Sequence, residues 1–577
     1  MKHWLGWAGG LALLLVAGGS WWLWPRPTAR EQLDTALATF LAAEPDALTY
    51  LRLPEAIDLN PRFHFEWSPP GGVRGPRLLT AANALAAVDT TALDLAGRQD
   101  WQQAQAWVGR QYQLGLRHEE VFALNPFSGL HLSQPKLLIT AHVVKTRDDV
   151  EAYLRRLEAL PEELRQGRAT TAQQAEAELP PPARLCRRSA GQLRAWSALP
   201  VQAQPLYQGL ARRLVAMDAT EINDYQATDY LIRAADLLEQ QLIPAWAETA
   251  HWLDSLADAH PTPNAGRSVK AYPDWVSYFG DEELVVDSLH REALTEVSTW
   301  QAALAAWQQE ASASWRELSS EALRARLHAP DTLGPEALTE GLRGALRRAR
   351  QQVAGLFDSL PAQQSLRIRW LDGDMVPQAA GYVPAAWDGK REAQLLLPLD
   401  SLRRPRSWEL PLLAYQWGYP GTHLRAQWRD PQATAWRYWG QAPGAEAAWQ
   451  AYALHLVAED LMLFPPGSEA RLGYICYRLQ EALLLAAETG YYTQGWTLAE
   501  TEAYFMQEGG YPPPEAARSV DRLLAQPGVA VASFAGRRQY LRARAAAETA
   551  ARDMFYLQPF NTELLILQQP SVPLRHD

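Results

Sequence analysis

The residues that begin like a zinc-peptidase motif are His118-Glu119. In that motif two histidines lie one helical turn apart on the same face, and the glutamate assists a zinc-bound water. Phe122 occupies the place of the second histidine, so the motif is incomplete. The sequence also lacks a Gly-x-Ser-x-Gly elbow, a Walker loop and a dinucleotide fingerprint. Serine-hydrolase and nucleotide chemistry therefore have no positive support.

Other reactive side chains are isolated or lie at helix ends. Cys186 and Cys476 have no metal-ligand or redox spacing, and both a single disulfide and two buried thiols remain open. The acidic pairs Asp148-Asp149 and Glu162-Glu163 are interpreted as solvated charges near helix amino termini. None of these residues predicts a catalytic site.

Composition limits the classes of partner. The 577 residues are 47% hydrophobic and 21% charged, as in folded globular proteins. The formal net charge is −11, whereas nucleic-acid binding needs a basic surface to displace counterions from phosphates. We therefore predict no nucleic-acid partner.

The amino terminus is apolar enough to reach across a membrane. Residues 4–24 carry no charge, and a helix of that length spans a hydrocarbon core of about 30 Å. Tryptophans near both ends favour an uncleaved anchor, because indole rings prefer the headgroup boundary. Ala17-Gly18-Gly19 keeps a cleaved signal peptide open as the alternative. We predict an anchor or signal segment at 1–25, with the body outside the cytoplasm.

The rest of the chain, residues 26–577, is predicted to be one large, mainly α domain. Stretches rich in Ala, Leu, Glu and Arg alternate with Pro/Gly breaks, as in helices joined by loops. Residues from Trp300 to Trp315 repeat at spacings of three and four and predict a single helix with a buried stripe. Leu366–Trp370 and Ala393–Leu399 are predicted to be strands of a small sheet.

Several segments in order resemble the bacterial family catalogued as domain of unknown function 885. They lie at Asn125–Leu138, Thr146–Leu164, Leu289–Val297, Glu488–Gly510 and Pro527–Glu548. The likeness covers about residues 40–555. Members are regarded as zinc-metallopeptidase-like helical proteins with a His-Glu-x-x-Pro-Gly-His-His motif and a later Glu-Gly-Trp segment, so the resemblance implies a degenerate relative of such proteins.

The motif region resembles Ala414–Leu424, AYQWGYPGTHL, without a gap. Gln416 stands at the first histidine of the family motif, Trp417 at the glutamate and Thr422 at the next histidine. Pro420, Gly421 and His423 match, which leaves His423 as the one retained metal-ligand candidate. The frame of the motif is kept, and three of its four reactive positions are changed.

The other family positions are changed as well. The Glu-Gly-Trp segment resembles Trp449–Leu463 in two registers, which put either Gln450 or Tyr452 in place of the glutamate. Glu459 matches a second family glutamate. In a further segment Glu488 replaces an aspartate and Tyr492 replaces a histidine.

These substitutions remove the donors that a catalytic zinc needs, about three imidazole, thiolate or carboxylate ligands with one open position. An amide at Gln416 is a poor ligand, and the indole of Trp417 cannot accept a proton from water. We therefore expect no catalytic residues, no cofactor and no metal. The alternative is a rearranged site in which His423, His455, Glu459 and Glu488 converge from different helices and bind zinc.

The sequence thus predicts a non-catalytic, membrane-tethered protein of the bacterial envelope. It would bind a peptide or a partner protein in the cleft of the family. An active zinc peptidase with substituted ligands is the alternative, and a protein secreted after cleavage is the alternative location.

Overall fold

A computed structural model describes residues 27–42, 49–50, 52, 74–116, 122–261, 265–280, 284–371, 375, 380–400, 403–428 and 444–568. The predicted anchor at residues 4–24 and the pair His118-Glu119 lie outside these residues. Among the described helices, none combines the length and the apolar character needed to cross a membrane.

Helices make up most of the described chain, as predicted. Their bounds are α1 Ala29–Ala42, α2 Arg74–Ala86, α3 Leu95–Leu116, α4 Leu130–Thr140, α5 Arg147–Glu176, α6 Ala183–Ser197, α7 Pro205–Val215, α8 Asp224–Leu237, α9 Ile243–Ala259, α10 Ala265–Phe279, α11 Val286–Glu310, α12 Ala313–Arg316, α13 Ser320–His328, α14 Pro335–Gln352, α15 Leu410–Leu413, α16 Thr422–Gln427, α17 Ala445–His455, α18 Glu469–Thr493, α19 Leu498–Gly509, α20 Pro513–Ala525, α21 Val529–Ala551 and α22 Leu557–Leu567.

Local sequence sets several of these helix starts. Helix α5 begins with a capping box in which the Thr146 hydroxyl accepts the Asp149 N–H and the Asp149 carboxylate accepts the Thr146 N–H. Thr497 and Glu500 form the same device at α19. Two otherwise unpaired backbone donors are satisfied at each start, which fixes where the helix begins.

The buried apolar side chains form separate clusters. One lies among α4 to α9, around Trp246. A second surrounds Trp449 and includes Trp417 of the motif region and Leu395 of the sheet. A third lies between α10, α11 and α18 to α21. The motif region therefore rests directly on a core, which holds its backbone in place.

A three-stranded sheet lies beside the motif region, in the order β1-β3-β2. Strand β1, Leu366–Leu371, runs parallel to β3, Ala393–Pro398, and β2, Gly381–Val383, pairs antiparallel with β3. The two predicted strands are confirmed to within one residue. Strand β2 was missed because three residues are too few to show an alternating pattern.

The predicted helix from Trp300 to Trp315 is wrong at its carboxyl end. Helix α11 ends at Glu310, Ala311 is extended, and Trp315 belongs to the short helix α12. The chain turns there so that Trp315 packs edge to face on Trp307, with ring centroids 5.6 Å apart. The two indoles are buried, so the prediction of core packing is confirmed even though one helix does not carry both.

The cysteines are free thiols, so the disulfide alternative is not realised. Burial raises the pKa of both Cys186 and Cys476 to about 12. A thiol with such a pKa is protonated at neutral pH and is a poor nucleophile and metal ligand.

A buried set of charged and polar side chains, here called the charge cluster, joins distant parts of the chain: Arg52, Asp149, Asp388, His142 and Arg156. The Arg52 guanidinium contacts Asp149 at 3.2 Å and Asp388 at 2.5 Å. His142 Nε2 lies 2.9 Å from the Asp149 carbonyl oxygen, and Arg156 Nη1 lies 2.7 Å from His142 Nδ1. Burial and the neighbouring guanidinium of Arg156 lower the pKa of His142 well below its usual value, so the ring is neutral.

The charge cluster corrects the interpretation of the first acidic pair. Asp148 is exposed, as predicted, but only 6% of Asp149 is exposed, and it is the hub of the cluster. The second acidic pair shows the same difference, since Glu162 is exposed and Glu163 is buried. Adjacent helical residues point about 100° apart, so one member of each pair faces the core.

Candidate functional site

The motif region is a wide helical turn followed by a tight reversal. Residues Ala414–Gly418 form one π-helical turn that continues α15, and a cis peptide bond joins Tyr419 to Pro420. The N–H of Tyr419 donates to the Ala414 carbonyl at 3.0 Å, and that of Gly421 donates to the Tyr415 carbonyl at 2.9 Å. These bonds fold the chain back, so that α16 starts beside the turn.

Gly421 is required by this reversal. A Cβ built on Gly421 would lie 1.8 Å from the carbonyl oxygen of Gln416. No side chain fits such an approach of backbone to backbone. The Pro-Gly pair matched in the sequence thus preserves the shape of the turn and brings positions 416 and 422 together.

Gln416, Thr422, Gln450 and Glu446 form a hydrogen-bonded set, here called the amide cluster. Gln416 Nε2 donates to Gln450 Oε1 at 3.1 Å, and Gln450 Nε2 donates to Thr422 Oγ1 at 2.8 Å. The Thr422 hydroxyl donates to Glu446 Oε1 at 3.2 Å. Gln450 therefore lies within hydrogen-bond distance of both Gln416 and Thr422, the other two positions at which the resemblance led us to expect changed metal ligands.

Glu446 was missed by the sequence analysis. It lies on α17 one turn before Gln450, and the helical spacing of four places both side chains on one face. Glu446 is exposed in part, and the protein groups around it raise its pKa by desolvation, which the positive charge of Arg425 and the hydrogen bond from Thr422 oppose. A carboxyl residue one turn from a suspected ligand position was the available signal.

The sequence left open whether Gln450 or Tyr452 replaces the glutamate of the downstream segment, and the two residues lie in different places. Gln450 is 5% exposed and lies in the amide cluster. Tyr452 is buried in the second core, donates its hydroxyl to Asn561 at 2.9 Å and stacks on Tyr540. The structure thus brings Gln450, and not Tyr452, to Gln416 and Thr422.

His423 points away from the amide cluster. Its ring is fully buried, with Nδ1 2.9 Å from the Tyr382 hydroxyl and Nε2 3.3 Å from the Gln364 carbonyl. Burial lowers the pKa of His423 to about 4, so it is neutral at physiological pH. Both ring nitrogens are occupied by protein partners, and strand β2 provides one of them.

The remaining candidates lie apart. Glu459 is exposed and pairs with Arg471 at 3.4 Å, and His455 is half-buried on α17. Tyr492 is buried on α18 and donates to the Leu523 carbonyl at 3.2 Å. Within the part of the chain that the structure describes, no group of three or more His, Cys, Asp or Glu side chains could hold a metal ion.

The donor set of the amide cluster does not fit zinc. It consists of two neutral amides, one hydroxyl and a single carboxyl group. A catalytic zinc takes imidazole, thiolate or carboxylate ligands, which the cluster supplies only at Glu446. The amide and hydroxyl groups instead satisfy one another by hydrogen bonds.

A cavity of about 450 Å³ opens beside the amide cluster. Its walls come from α4, α10, α17, α18, α20 and α21, with strand β2 and the motif turn. Of the predicted site residues, Trp417, Gln450 and Glu488 line it, and Glu446 joins them. The indole of Trp417 forms part of the cavity wall.

Glu488 supports another wall of the cavity. Its carboxylate is fully buried and accepts the Tyr272 hydroxyl at 2.9 Å and the N–H of Gly528 at 3.1 Å. Gly528, with φ near 85°, caps α21, so the carboxylate lies at the positive end of that helix. Burial nevertheless raises the pKa of Glu488 to about 7, and the hydrogen bonds and Arg522 oppose the shift.

Two cations line the same cavity, and sequence reasoning missed both. Lys136 lies on α4 and Arg522 on α20, and each is half-buried. Neither side chain makes a hydrogen bond or an ion pair with any residue in the described ranges. Burial lowers the pKa of both groups. A lysine inside the otherwise apolar or neutral α4, LHLSQPKLLIT, was a signal in the sequence.

Two solved structures share this fold. One is described as the "putative lipoprotein from Colwellia psychrerythraea", with a TM-score of 0.81, 17% identity and coverage of 95% of this chain and 97% of that chain. The other is a "putative lipoprotein of unknown function from Shewanella oneidensis", with a TM-score of 0.64, 14% identity and coverage of 94% and 98%. At these identities the likeness shows the fold alone.

The sequence comparisons give the family. No curated protein matches the chain at a significant level. The family described as "Bacterial protein of unknown function (DUF885)" matches residues 69–576, which is most of the chain and close to the range of about 40–555 expected from the resemblance. The chain therefore belongs to the DUF885 family of bacterial proteins.

Proposed function

We propose that the protein is a non-catalytic binding member of its family, tethered in the bacterial envelope, which takes a peptide into the cavity beside the amide cluster. The observation that carries the proposal is that Gln450, which lines the cavity, hydrogen-bonds to both Gln416 and Thr422. Ligand positions that satisfy each other leave nothing to hold a metal ion.

The cavity also lacks the chemistry of hydrolysis at the aligned position. Trp417 offers an aromatic surface where a general base would be needed, and an indole cannot accept a proton from water. The same indole is well suited to contact an apolar side chain of a ligand.

The size and lining of the cavity support the binding of a small ligand. Ligand sites occupy roughly 300–1,000 Å³ and combine apolar walls with a few polar groups. Here Trp417, Leu484 and Leu523 supply apolar surface, and Gln450 and Glu446 supply polar groups. A di- or tripeptide matches that scale.

The envelope location rests on two supports. The structural neighbours are described as lipoproteins, and such proteins are held at membranes by a lipid. The predicted apolar segment at residues 4–24 would supply a tether of another kind. Both observations favour the bacterial envelope.

Zinc content tests the proposal. The full-length protein in detergent is equilibrated with zinc, desalted, and analysed for metal by mass spectrometry. We expect far less than one equivalent, and no chelator-sensitive cleavage of short peptides. About one equivalent of tightly bound zinc, with cleavage that His423→Ala abolishes, would instead establish the alternative of an active peptidase with substituted ligands.

A gain-of-function variant sharpens this test. In a tetrahedral site each ligand atom lies about 2.0–2.2 Å from the zinc ion, so two ligand atoms lie about 3.4 Å apart. This is close to the spacing of the polar atoms in the amide cluster. We expect the triple variant Gln416→His, Thr422→His, Gln450→Glu to gain about one equivalent of zinc. The matched control keeps both histidines but places the glutamate at Gln526, another cavity residue, and should gain none.

A further inference from the structure

The two cations of the cavity are its least satisfied groups. Lys136 and Arg522 come from helices almost 400 residues apart in the sequence and line the same space. Neither has a hydrogen-bond or ion-pair partner in the described part of the chain. A buried cation without a partner is unfavourable, because its lost hydration is not replaced.

Nearby carboxyl groups do not pair with these cations. Glu446 is close enough to interact electrostatically with Lys136, and Glu488 with Arg522, but neither pair forms a direct contact. The Glu446 oxygen already accepts from Thr422, and Glu488 accepts from Tyr272 and from the backbone of Gly528. The hydrogen bonds hold the carboxyl groups in place, and the cations remain open toward the cavity.

The start of α21 is not the binding element. The N–H of Gly528 and the N–H of Ala530 are directed at the Glu488 carboxylate, at 3.1 and 3.5 Å. The backbone donors at this helix end therefore have a partner inside the protein. An anion entering the cavity would find its donors in the side chains of Lys136 and Arg522.

We propose that Lys136 and Arg522 bind the carboxylate of an organic ligand, and that this carboxylate is the free carboxyl terminus of the short peptide. This inference rests on the proposed function and names the group that the cavity recognises. A guanidinium and an ammonium match a carboxylate well, since charge-assisted hydrogen bonds are among the strongest in proteins. The adjacent apolar wall then contacts the side chain of the last residue.

A singly charged group fits this cavity better than a doubly charged one. Glu446 and Glu488 lie near the two cations, and any negative charge on them repels an anion. A phosphate dianion would double both the attraction to the cations and this repulsion, and it would lose far more hydration free energy, because the cost of desolvating an ion grows with the square of its charge. The ligand chemistry favoured by the cavity is therefore a monocarboxylate attached to an apolar body.

Binding is tested with paired peptides on the full-length protein in detergent. A panel of Ala-Ala-X tripeptides, with X covering the coded amino acids, is measured by calorimetry and thermal shift as free acids and as carboxyl-terminal amides. We expect at least one free acid to bind about 10- to 100-fold more tightly than its amide, the effect of one charge-assisted hydrogen bond. Inorganic phosphate is the competing probe and should bind more weakly than that peptide.

Variants assign the effect to the two cations. Lys136→Met and Arg522→Met should each weaken binding of the free acid about 10- to 100-fold and leave binding of the amide nearly unchanged. Lys136→Arg should restore most of the lost affinity. The exposed residues Lys390 and Arg316 provide matched controls, since Lys390→Met and Arg316→Met should bind as the wild type does.

Any one of four results would overturn the inference. These are binding of amides as tight as that of acids, binding by both methionine variants as tight as that of the wild type, tighter binding of phosphate than of every peptide, and absence of binding by every probe. Melting temperatures of the ligand-free variants show that the fold is intact. Because zinc content is measured separately, failure of carboxylate recognition is distinguishable from failure of the proposed function.

Discussion

The charge cluster and the cavity use buried polar groups in opposite ways. In the charge cluster the Arg52 guanidinium meets two carboxylates, and three separate stretches of chain are joined. In the cavity two cations have no partner in the described chain, while the neighbouring amides are bonded to one another. Buried ions that pair internally hold chain segments together. Half-buried ions left unpaired beside a cavity are suited to a ligand.

The largest effect is expected in the charge cluster. Asp149→Ala removes one partner of Arg52 and leaves that buried guanidinium with Asp388 alone, which should cost about 3–5 kcal/mol of unfolding free energy. Chemical denaturation followed by circular dichroism measures the loss. Asp148→Ala, at the exposed neighbouring position, should change stability by no more than about 0.5 kcal/mol. Equal effects of the two variants would contradict the distinction between them.

A pH profile probes the cavity wall next. The pKa of Glu488 is about 7 in the folded protein and about 4.5 when unfolded. Between pH 4.5 and pH 7 the native state therefore holds a proton on Glu488 that the unfolded state has lost. This contribution to stability is complete below pH 4.5 and is lost as the pH rises through 7, by about 3 kcal/mol. Glu488→Gln should remove that slope, seen as a difference between wild-type and variant unfolding free energies at pH 5 and 8.

The surface residue Glu336 supplies the control for this profile. Glu336→Gln removes an exposed carboxylate near the start of α14 and should leave the wild-type slope intact. A Glu488→Gln profile parallel to that of the wild type would show that Glu488 does not hold a proton in the native state.

A substitution in the amide cluster should lower the free energy of unfolding by a smaller amount. Gln450→Leu leaves Gln416 and Thr422 without their shared partner, at a cost of about 1–3 kcal/mol. Gln526 lines the same cavity and makes no side-chain hydrogen bond with a described residue, so Gln526→Leu should stay within about 0.5 kcal/mol of the wild type. If Gln450→Leu and Gln526→Leu lost the same stability in thermal denaturation, the amide cluster would not stabilise the turn.

The smallest effect is expected at a cation of the cavity. Lys136→Met removes a half-buried charge that has no ion pair, so the free energy of unfolding should change by less than about 0.5 kcal/mol or should rise. A large loss, comparable with that of Asp149→Ala, would show that Lys136 is held by an interaction like those in the charge cluster.

The sequence predicted the local segments of the site better than the side-chain contacts within it. The sequence matched Pro420 and Gly421 to the frame of the motif, and in the structure these residues lie in the reversal between the π-helical turn and α16. Periodicity and β-forming composition located β1 and β3. These features depend on residues near one another in the chain, where sequence patterns are informative.

The other half of the site depends on tertiary packing. Gln450 and Tyr452 are both neutral in an alanine-rich helix, and only the approach of α17 to the motif turn separates them. Lys136 and Arg522 share a cavity because α4 and α20 approach the same space, and no local pattern records that. Asp149 was interpreted as solvated because its local role as a helix cap gives no sign of Arg52.

The contact between Arg52 and Asp388 also bears on the order in which the chain can fold. These residues are 336 positions apart, and Arg391 donates to the carbonyl of Thr49 across 342 positions. Loop closure over such a distance is slow compared with the pairing of adjacent helices such as α6 and α9. During synthesis, α4 to α9 emerge well before the sheet and can pack with one another locally. The residues around Arg52 leave the ribosome early and can meet Asp149 on α5, but their contacts with Asp388 and Arg391 form only after the segment between β2 and β3 has been made.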